Sequence, residues 1–423
     1  GRCDEDRWES ACAEFLGDPD PSVRGEAALA LGRLLGERFA GRKTLGGDAL
    51  GVAIARLAEA AVGETDPEAR WREVYALASI RDGRTREALL RAAGDPSTLV
   101  RLFAIRGLGK GEPDPKVASA LARAAGDPVD SVATEAAMAL ARHPCAEGAT
   151  ALVALLERES GAARRVAVRS LGAMGTWRAE TLTALERALL EASPTVRAEV
   201  APALARLGGE DALEAVDRAL EDRHPLVREK AIGAELPEAD ALPRIESALR
   251  DASPSVVAAG AAALGRIPGL RARELAYAAL RNPGGLAKEN AAGVLEKWAA
   301  GEVPPAGDVF ALLDAIDDTP GEDFAEVRAT LLEALEKVET ARRPRGGSLS
   351  RREAEEQAEL MVRVRTVLGS ALRDPDPTAR AKAARAWESL VGEPLPAGVF
   401  APRPRASPIP GLTAPPFLRQ PRV

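Results

Sequence analysis

Metal chemistry needs histidines, cysteines and carboxylates brought together, and this chain of 423 residues offers little of the first two. Its only histidines, His143 and His224, are each followed by Pro, which places them in expected turns rather than on facing helices. The cysteines are Cys3, Cys12 and Cys145, an odd number at wide spacing with no CxxC pair, so neither a disulfide framework nor a zinc knuckle is expected. Cys3 and Cys12 could pair in an oxidising compartment; otherwise they are two thiols on an N-terminal helix. No G-x-x-x-x-G-K-[ST] loop and no G-x-S-x-G elbow is present. The glycine pairs Gly46-Gly47, Gly208-Gly209, Gly284-Gly285 and Gly346-Gly347 stand in expected turns and make poor phosphate cradles. No catalytic, metal or cofactor-binding residue is therefore assigned.

Binding chemistry has more to work with. Trp177 and Arg178 share the turn Gly175-Thr176-Trp177-Arg178, and an exposed Trp beside Arg is a plausible hot spot. The segment Ala341–Arg352 holds Arg342, Arg343, Arg345, Arg351 and Arg352 and no acid, and is expected to take an acidic partner, a phosphate-rich ligand or a membrane surface, or to be a solvated linker. Residues 394–423 hold nine Pro, four Arg and no acid, a tail expected to be disordered or polyproline-like.

Something must position these residues, and the composition points to helices. Hydrophobic residues make up 46% but aromatics only 3%, so the core is built from Ala, Leu and Val. Along the chain an acidic-Pro turn leads repeatedly to a β-branched residue with Arg, then Ala, then Leu. Anchored on the β-branched position, the phrase recurs at 23, 71, 100, 132, 163, 196, 227, 256, 287, 327 and 379, and seven consecutive spacings lie between 29 and 33. Asp20-Pro21, Ser193-Pro194, Ser253-Pro254 and Asp376-Pro377 read as N-cap and first helical residue. Val, Ala and Leu at steps of four share one stripe. Gly32, Gly109, Gly172 and Gly265 are expected to close the helices in left-handed turns. A second helix follows, such as 48–62, 149–158 or 181–190. Trp71 and Trp387 fall on the stripe and are expected in the core; Trp298 is expected to plug the end of the regular array.

Arg follows eight of the eleven anchors and Lys one, and an acid usually stands five residues before the anchor. The expected role is a ladder in which the Arg of one repeat bonds the acidic turn of an adjacent one, through Asp18, Arg24, Asp66, Arg72, Asp95, Arg101, Arg197, Asp222, Arg228, Asp374 and Arg380.

This pattern resembles the HEAT repeat, in particular the short HEAT-like repeat of phycobilisome-type bilin lyases, over residues 10–395. The resemblance implies an all-α fold, an α-solenoid (superhelix) of about eleven HEAT-like helix-turn-helix repeats. The expected organisation is an N-terminal capping helix (1–16), a regular array (17–300), looser C-terminal repeats with the Arg-rich loop (301–393) and the tail (394–423). HEAT-type di-iron hydroxylases use His-Glu pairs on facing helices, which two turn histidines cannot supply. Helical-repeat DNA glycosylases need a positive groove, which a net charge of −7 argues against. The resemblance implies a non-catalytic scaffold or adaptor binding a protein or extended peptide on its concave face. Two alternatives stand beside it: an accessory or regulatory subunit of an enzyme, including a bilin-lyase-like cofactor chaperone, and nucleic-acid or phosphate-rich ligand binding through the Arg loop and tail. No apolar stretch approaches 18 residues and no leader pattern opens the chain, so a soluble chain without a membrane span is expected.

Overall fold

The computed structural model describes residues 11–40, 47–80, 82–175, 178–191, 193–320, 324–342 and 350–396. Every regular element among them is helical, and the chain divides into two compact units, Gly1–Ala263 and Leu264–Val423. The expected boundary at 300/301 lies inside the second unit.

The first unit runs α1 (11–15), α2 (Pro21–Ala40), α3 (Gly47–Gly63), α4 (Pro67–Ser79), α5 (Arg86–Ala92), α6 (Thr98–Leu108), α7 (Pro115–Ala125), α8 (Asp130–Leu140), α9 (Ala146–Leu155), α10 (Gly161–Met174), α11 (Arg178–Ala188), α12 (Pro194–Leu207), α13 (Glu210–Leu220), α14 (Pro225–Ile232), α15 (Glu238–Ala248) and α16 (Pro254–Ala263). The second runs α17 (Leu270–Leu280), α18 (Gly285–Ala299), α19 (Ala306–Asp317), α20 (Ala325–Arg342), α21 (Arg351–Ala371) and α22 (Pro377–Leu390). Each unit is an α-solenoid: even-numbered helices pack on one another in one row, and odd-numbered helices pack on the even ones as a second row.

The caps set where the even helices begin. Asp66 and Asp376 each accept from two backbone N–H groups of the first turn, with Pro at the first helical position. The stripe that follows is the core. Val100, Ala104 and Leu108 of α6, and Val132, Ala136 and Leu140 of α8, are all buried. Each buried Val or Leu contributes about 1.5–3 kcal/mol. Because small residues dominate, the even helices come very close. A Cβ on Gly32 would stand 2.7 Å from the Ala76 Cβ, one on Gly109 2.6 Å from that of Ala139, and one on Gly172 2.5 Å from that of Ala203. This corrects the expected role of these glycines. Gly32 and Gly172 lie inside their helices, Gly109 has φ −65°, and none of them nor Gly265 is left-handed. They are spacers at a helix–helix seam; the left-handed closure falls instead at Gly175, φ 61°.

In the first unit the even row interlocks from α2 to α16, whereas odd neighbours meet only in places. A stack whose one row is closer packed than the other curves toward the close row, so the solvent side of the even helices is its inner surface.

Candidate functional site

The elements are held in register by arginines one residue after most anchors. Arg101 shows the geometry. Its Nη1 donates to the Asp95 carbonyl of its own turn (2.9 Å), while Nε and Nη2 donate to Asp127 of the next turn (2.7 and 3.2 Å). Arg197 repeats it with the Glu191 carbonyl and Asp222, and Arg228 with the Asp222 carbonyl and Asp251. In the second unit Arg328 bonds Asp374 and the Thr319 carbonyl, and Arg380 holds, among the described residues, the carbonyls of Asp374 and Pro375. The Arg197 guanidinium holds the Asp222 carboxyl below its ordinary value, and Arg228 does the same to Asp251.

Two expected rungs are corrected. Arg24 bonds Glu64, not Asp66, and Asp66 is spent as the cap of α4. Arg72 takes no rung: it lies near Glu68 and Glu26, while Arg70 makes the paired bond to Asp95 (2.7 and 3.2 Å) and bonds the Glu64 carbonyl. The anchor of α4 is therefore buried Ala69, not Trp71, and the spacing to Val100 becomes 31 instead of 29. Asp18, in the first turn, accepts from the Asp20 N–H, and its carbonyl accepts from Arg24.

That two-residue shift moves Trp71 out of the core. It stands half-buried on the inner surface, where its ring stacks on Phe103 of α6 (centroids 5.7 Å, interplanar angle 29°). Tyr75, one turn further along α4 and 43% exposed, meets Phe103 edge-on at 5.0 Å. The Arg72 guanidinium lies 4.7 Å from the Trp71 ring centre, and that of Arg106 5.7 Å from the Phe103 ring centre. The Trp71 Nε1 donates to Glu68, and Arg106 donates to Glu135 on α8. Leu99 and Met138, 44% and 48% exposed, extend the apolar surface onto α6 and α8. The result is an aromatic platform with cations over its rings and solvent in front of it. The sequence hides it because Trp71-Arg72 mimics an anchor with its arginine; the pair Trp71/Tyr75, four apart, is the clue it offers.

The residues singled out beforehand do not gather there. Trp177, the Arg178 side chain, Arg343 and Arg345 lie outside the described residues. Arg342 is not available to a partner: it bonds Glu339 and Gln357 at the α20–α21 junction, with its side chain only 15% exposed. Arg351 and Arg352 are exposed at the start of α21, with Arg351 paired to Glu355. Trp387 is buried, as expected, and its Nε1 donates to the Glu393 carbonyl. Trp298 is half-buried under the Arg273 guanidinium. His143 is buried in its turn, which pushes its pKa down, and the His224 Nδ1 caps α14. Among the described residues no group of three or more His, Cys, Asp or Glu could hold a metal ion.

Residues 54–141 and 149–235 match the family model of HEAT repeats. The chain carries HEAT repeats. No curated protein matches its sequence. Three solved structures share its fold. A chain of the structure in which Kap95p binding switches RanGDP to the GTP-bound conformation is 12% identical, with a TM-score of 0.55 over 91% of this chain and 63% of that one. Kap121p bound to Pho4p gives 14% identity, 0.52, and 91% and 45% coverage. The karyopherin Kap121p bound to the SUMO protease Ulp1p gives 12%, 0.53, and 90% and 45%. The chain thus spans about half to two thirds of the length of these neighbours. No helix among its described residues is long and apolar enough to cross a membrane.

Proposed function

We propose that this protein is a non-catalytic scaffold that binds an extended segment of a partner protein along the inner surface of its first unit, anchored on Trp71, Tyr75 and Phe103. The observation that carries the reading is the stacked, solvent-facing platform itself. A chain with 3% aromatics places three of its fourteen on one exposed surface, where they satisfy one another only at their edges and faces. Exposed aromatics flanked by arginine are the commonest anchors of protein interfaces, worth about 2 kcal/mol or more each when covered. The ladder supports the same reading, since its bonds keep the even helices in register and so fix the platform before a partner arrives. Kap121p, whose fold is similar, is described in complex with the proteins Pho4p and Ulp1p.

The test is selection of displayed twelve-residue peptides on the purified full chain. Enriched peptides should lose at least tenfold in affinity for a Tyr75→Ala/Phe103→Ala double variant with unchanged circular dichroism, and none for Leu190→Ala, an exposed residue of the α11–α12 turn. Peptides that bind the double variant as tightly as the wild type, or no enrichment at all, would overturn the proposal.

A further inference from the structure

The platform says where a segment would anchor; the charges beside it say what that segment carries. On the solvent side of α4, α6, α8, α10 and α12, the positions one before and two, three, six and ten after each anchor hold seven cations and three carboxylates. The carboxylates are all engaged: Glu68 by Trp71 and Arg72, Glu135 by Arg106, and Glu199 by Arg169 at 4.0 Å. The surplus is Lys110, Arg142, Arg165 and Arg206, all four exposed. Lys110 reaches back to the Ala78 carbonyl, which leaves Arg142, Arg165 and Arg206 presented to solvent, one from each of three successive even helices or the turn that closes it. The ladder arginines do not count toward this surplus, because they are spent on turn carboxylates. A cationic surface in a chain of net charge −7 is opposite in sign to the molecule that bears it.

We infer that the bound segment is acidic, with an aromatic or large apolar anchor on the platform and carboxylates spaced to meet Arg142, Arg165 and Arg206. This rests on the inner surface being the protein-binding one. Neighbouring packed helices stand about 8–10 Å apart, and an extended chain advances about 3.3 Å per residue. Arg142 and Arg206, at the same register two even helices apart, thus stand about 16–20 Å from each other, about five or six extended residues, with Arg165 about 12 Å nearer the helix starts; Glu at every third residue places a carboxylate near each end of that span and one between. A nucleic acid is the weaker fit. A continuous phosphate backbone needs a continuous basic field, whereas here the surplus is a few charges at wide intervals on a net acidic protein. The chain's own segment 397–423 carries four Arg and no acid, so its charge is wrong for this surface.

The experiment uses the full chain and fluorescence anisotropy. The probe is a labelled fifteen-residue peptide with two Phe at one end and Glu at every third position, the rest Ser and Thr. The controls replace each Glu with Lys, or present residues 397–423, or a single-stranded oligothymidylate. The Glu peptide should bind at least tenfold more tightly than the Lys peptide at 50 mM salt, with the gap closing toward 500 mM. The Arg142→Glu/Arg165→Glu/Arg206→Glu variant should abolish that preference, and the corresponding triple Gln variant should weaken it, with helix content unchanged in both. The inference fails if the Lys peptide or the 397–423 peptide binds as well as the Glu peptide, if the triple Glu variant keeps the preference, or if oligothymidylate binds more tightly. Should the Glu and Lys peptides bind equally and Tyr75→Ala/Phe103→Ala abolish both, the anchoring platform survives and only the acidic specificity falls.

Discussion

Glu73 sits where the repeat asks for alanine. Counted from Ala69, it occupies the position held by the buried Ala104, Ala136, Ala167, Ala231, Ala291 and Ala383 in other even helices. Its side chain is fully buried, and neither carboxylate oxygen has a hydrogen-bond partner among the described residues. Burial, reinforced by Glu64, pushes its pKa from 4.5 up to about 8; Arg24 and Arg70 pull the other way without reversing it. The folded-state pKa is raised above the unfolded value, so the folded state holds a proton that the unfolded chain has lost at neutral pH. The stability this group permits is fully present below pH 4.5 and is lost as pH rises toward 8. At about 1.4 kcal/mol per pH unit, the loss by pH 7 is about 3 kcal/mol. Glu73→Gln keeps the shape and removes the ionisation. Wild type and Glu73→Gln should therefore be about equally stable at pH 4.5 and diverge steadily above it. At pH 7 the amides of α2 and α4, whose packing surrounds this carboxyl, should open about a hundredfold less often in the variant. Native-state hydrogen exchange read by mass spectrometry on peptides from 21–35 and 67–79 measures this directly. Parallel wild-type and variant profiles from pH 4.5 to 8 would refute the argument, because they would mean that water or a partner solvates this carboxyl in the folded chain.

The ladder and the seam make three further predictions. Arg197→Ala strands Asp222 without its paired donor at a side chain 5% exposed, and should cost about 3 kcal/mol, whereas Arg351→Ala, at 94%, should cost almost nothing; equal thermal midpoints would count against a stacking role for the ladder. Because Arg197 holds the Asp222 pKa down, the wild-type advantage over Arg197→Ala is present above the unfolded carboxyl pKa and should shrink as pH falls below about 4, which acid titration of both melting curves would show. Gly172→Ala places a Cβ 2.5 Å from Ala203 and should destabilise by about 1–3 kcal/mol, while Gly161→Ala, in the first turn of α10 with nothing within 4 Å, should be neutral or slightly stabilising in the same urea titration.

Much of the architecture was legible because the physics of a solenoid repeats. The Pro at a first helical position, the Val-Ala-Leu stripe and the Arg after the anchor recur with nearly constant spacing, and each does the same job in successive even helices. What was misread came from two local ambiguities. In Asp66-Pro67-Glu68-Ala69-Arg70-Trp71-Arg72, both Ala69-Arg70 and Trp71-Arg72 look like an anchor with its arginine, and the larger side chain won. Choosing Trp71 put an aromatic platform residue into the core and let Glu73 pass as a solvent-facing acid. Counting from Ala69 restores the spacing of 31 and exposes Glu73 as the one charged residue buried on the stripe among the described residues. The glycines were read by their place near helix ends, whereas helices that run on, such as α2 to Ala40, turn the same glycines into contact points. Polar partners at a distance were not legible at all: that Arg342 would meet Glu339 and Gln357 depends on how α20 and α21 lie against each other.

The ladder's exceptions are as informative as its rungs. After α8 begins, the arginine position holds Ala133, and the polarity reverses: Arg158, standing where an acid belongs, donates back to the Asp127 carbonyl and to Asp130. The contact is kept although its donor has changed sides, which is what a requirement for a charge-assisted bond between turns, rather than for a particular residue, would produce. In α16 the arginine position holds Val257, and Asp251 before it is already taken by Arg228. So the last even helix of the first unit carries no cation to extend the ladder, and the division of the chain at Ala263/Leu264 follows a few residues later. Composition alone suggests a later break, at the Pro-rich stretch near 302–308. By the same reasoning the ladder and the inner surface draw on separate arginines. Those one residue past the anchor are consumed in holding the turns together. Those two, three, six and ten residues past it, such as Arg165, Arg72, Arg106, Arg142, Arg169 and Arg206, point to the inner side, and these give that surface a charge for a partner to read.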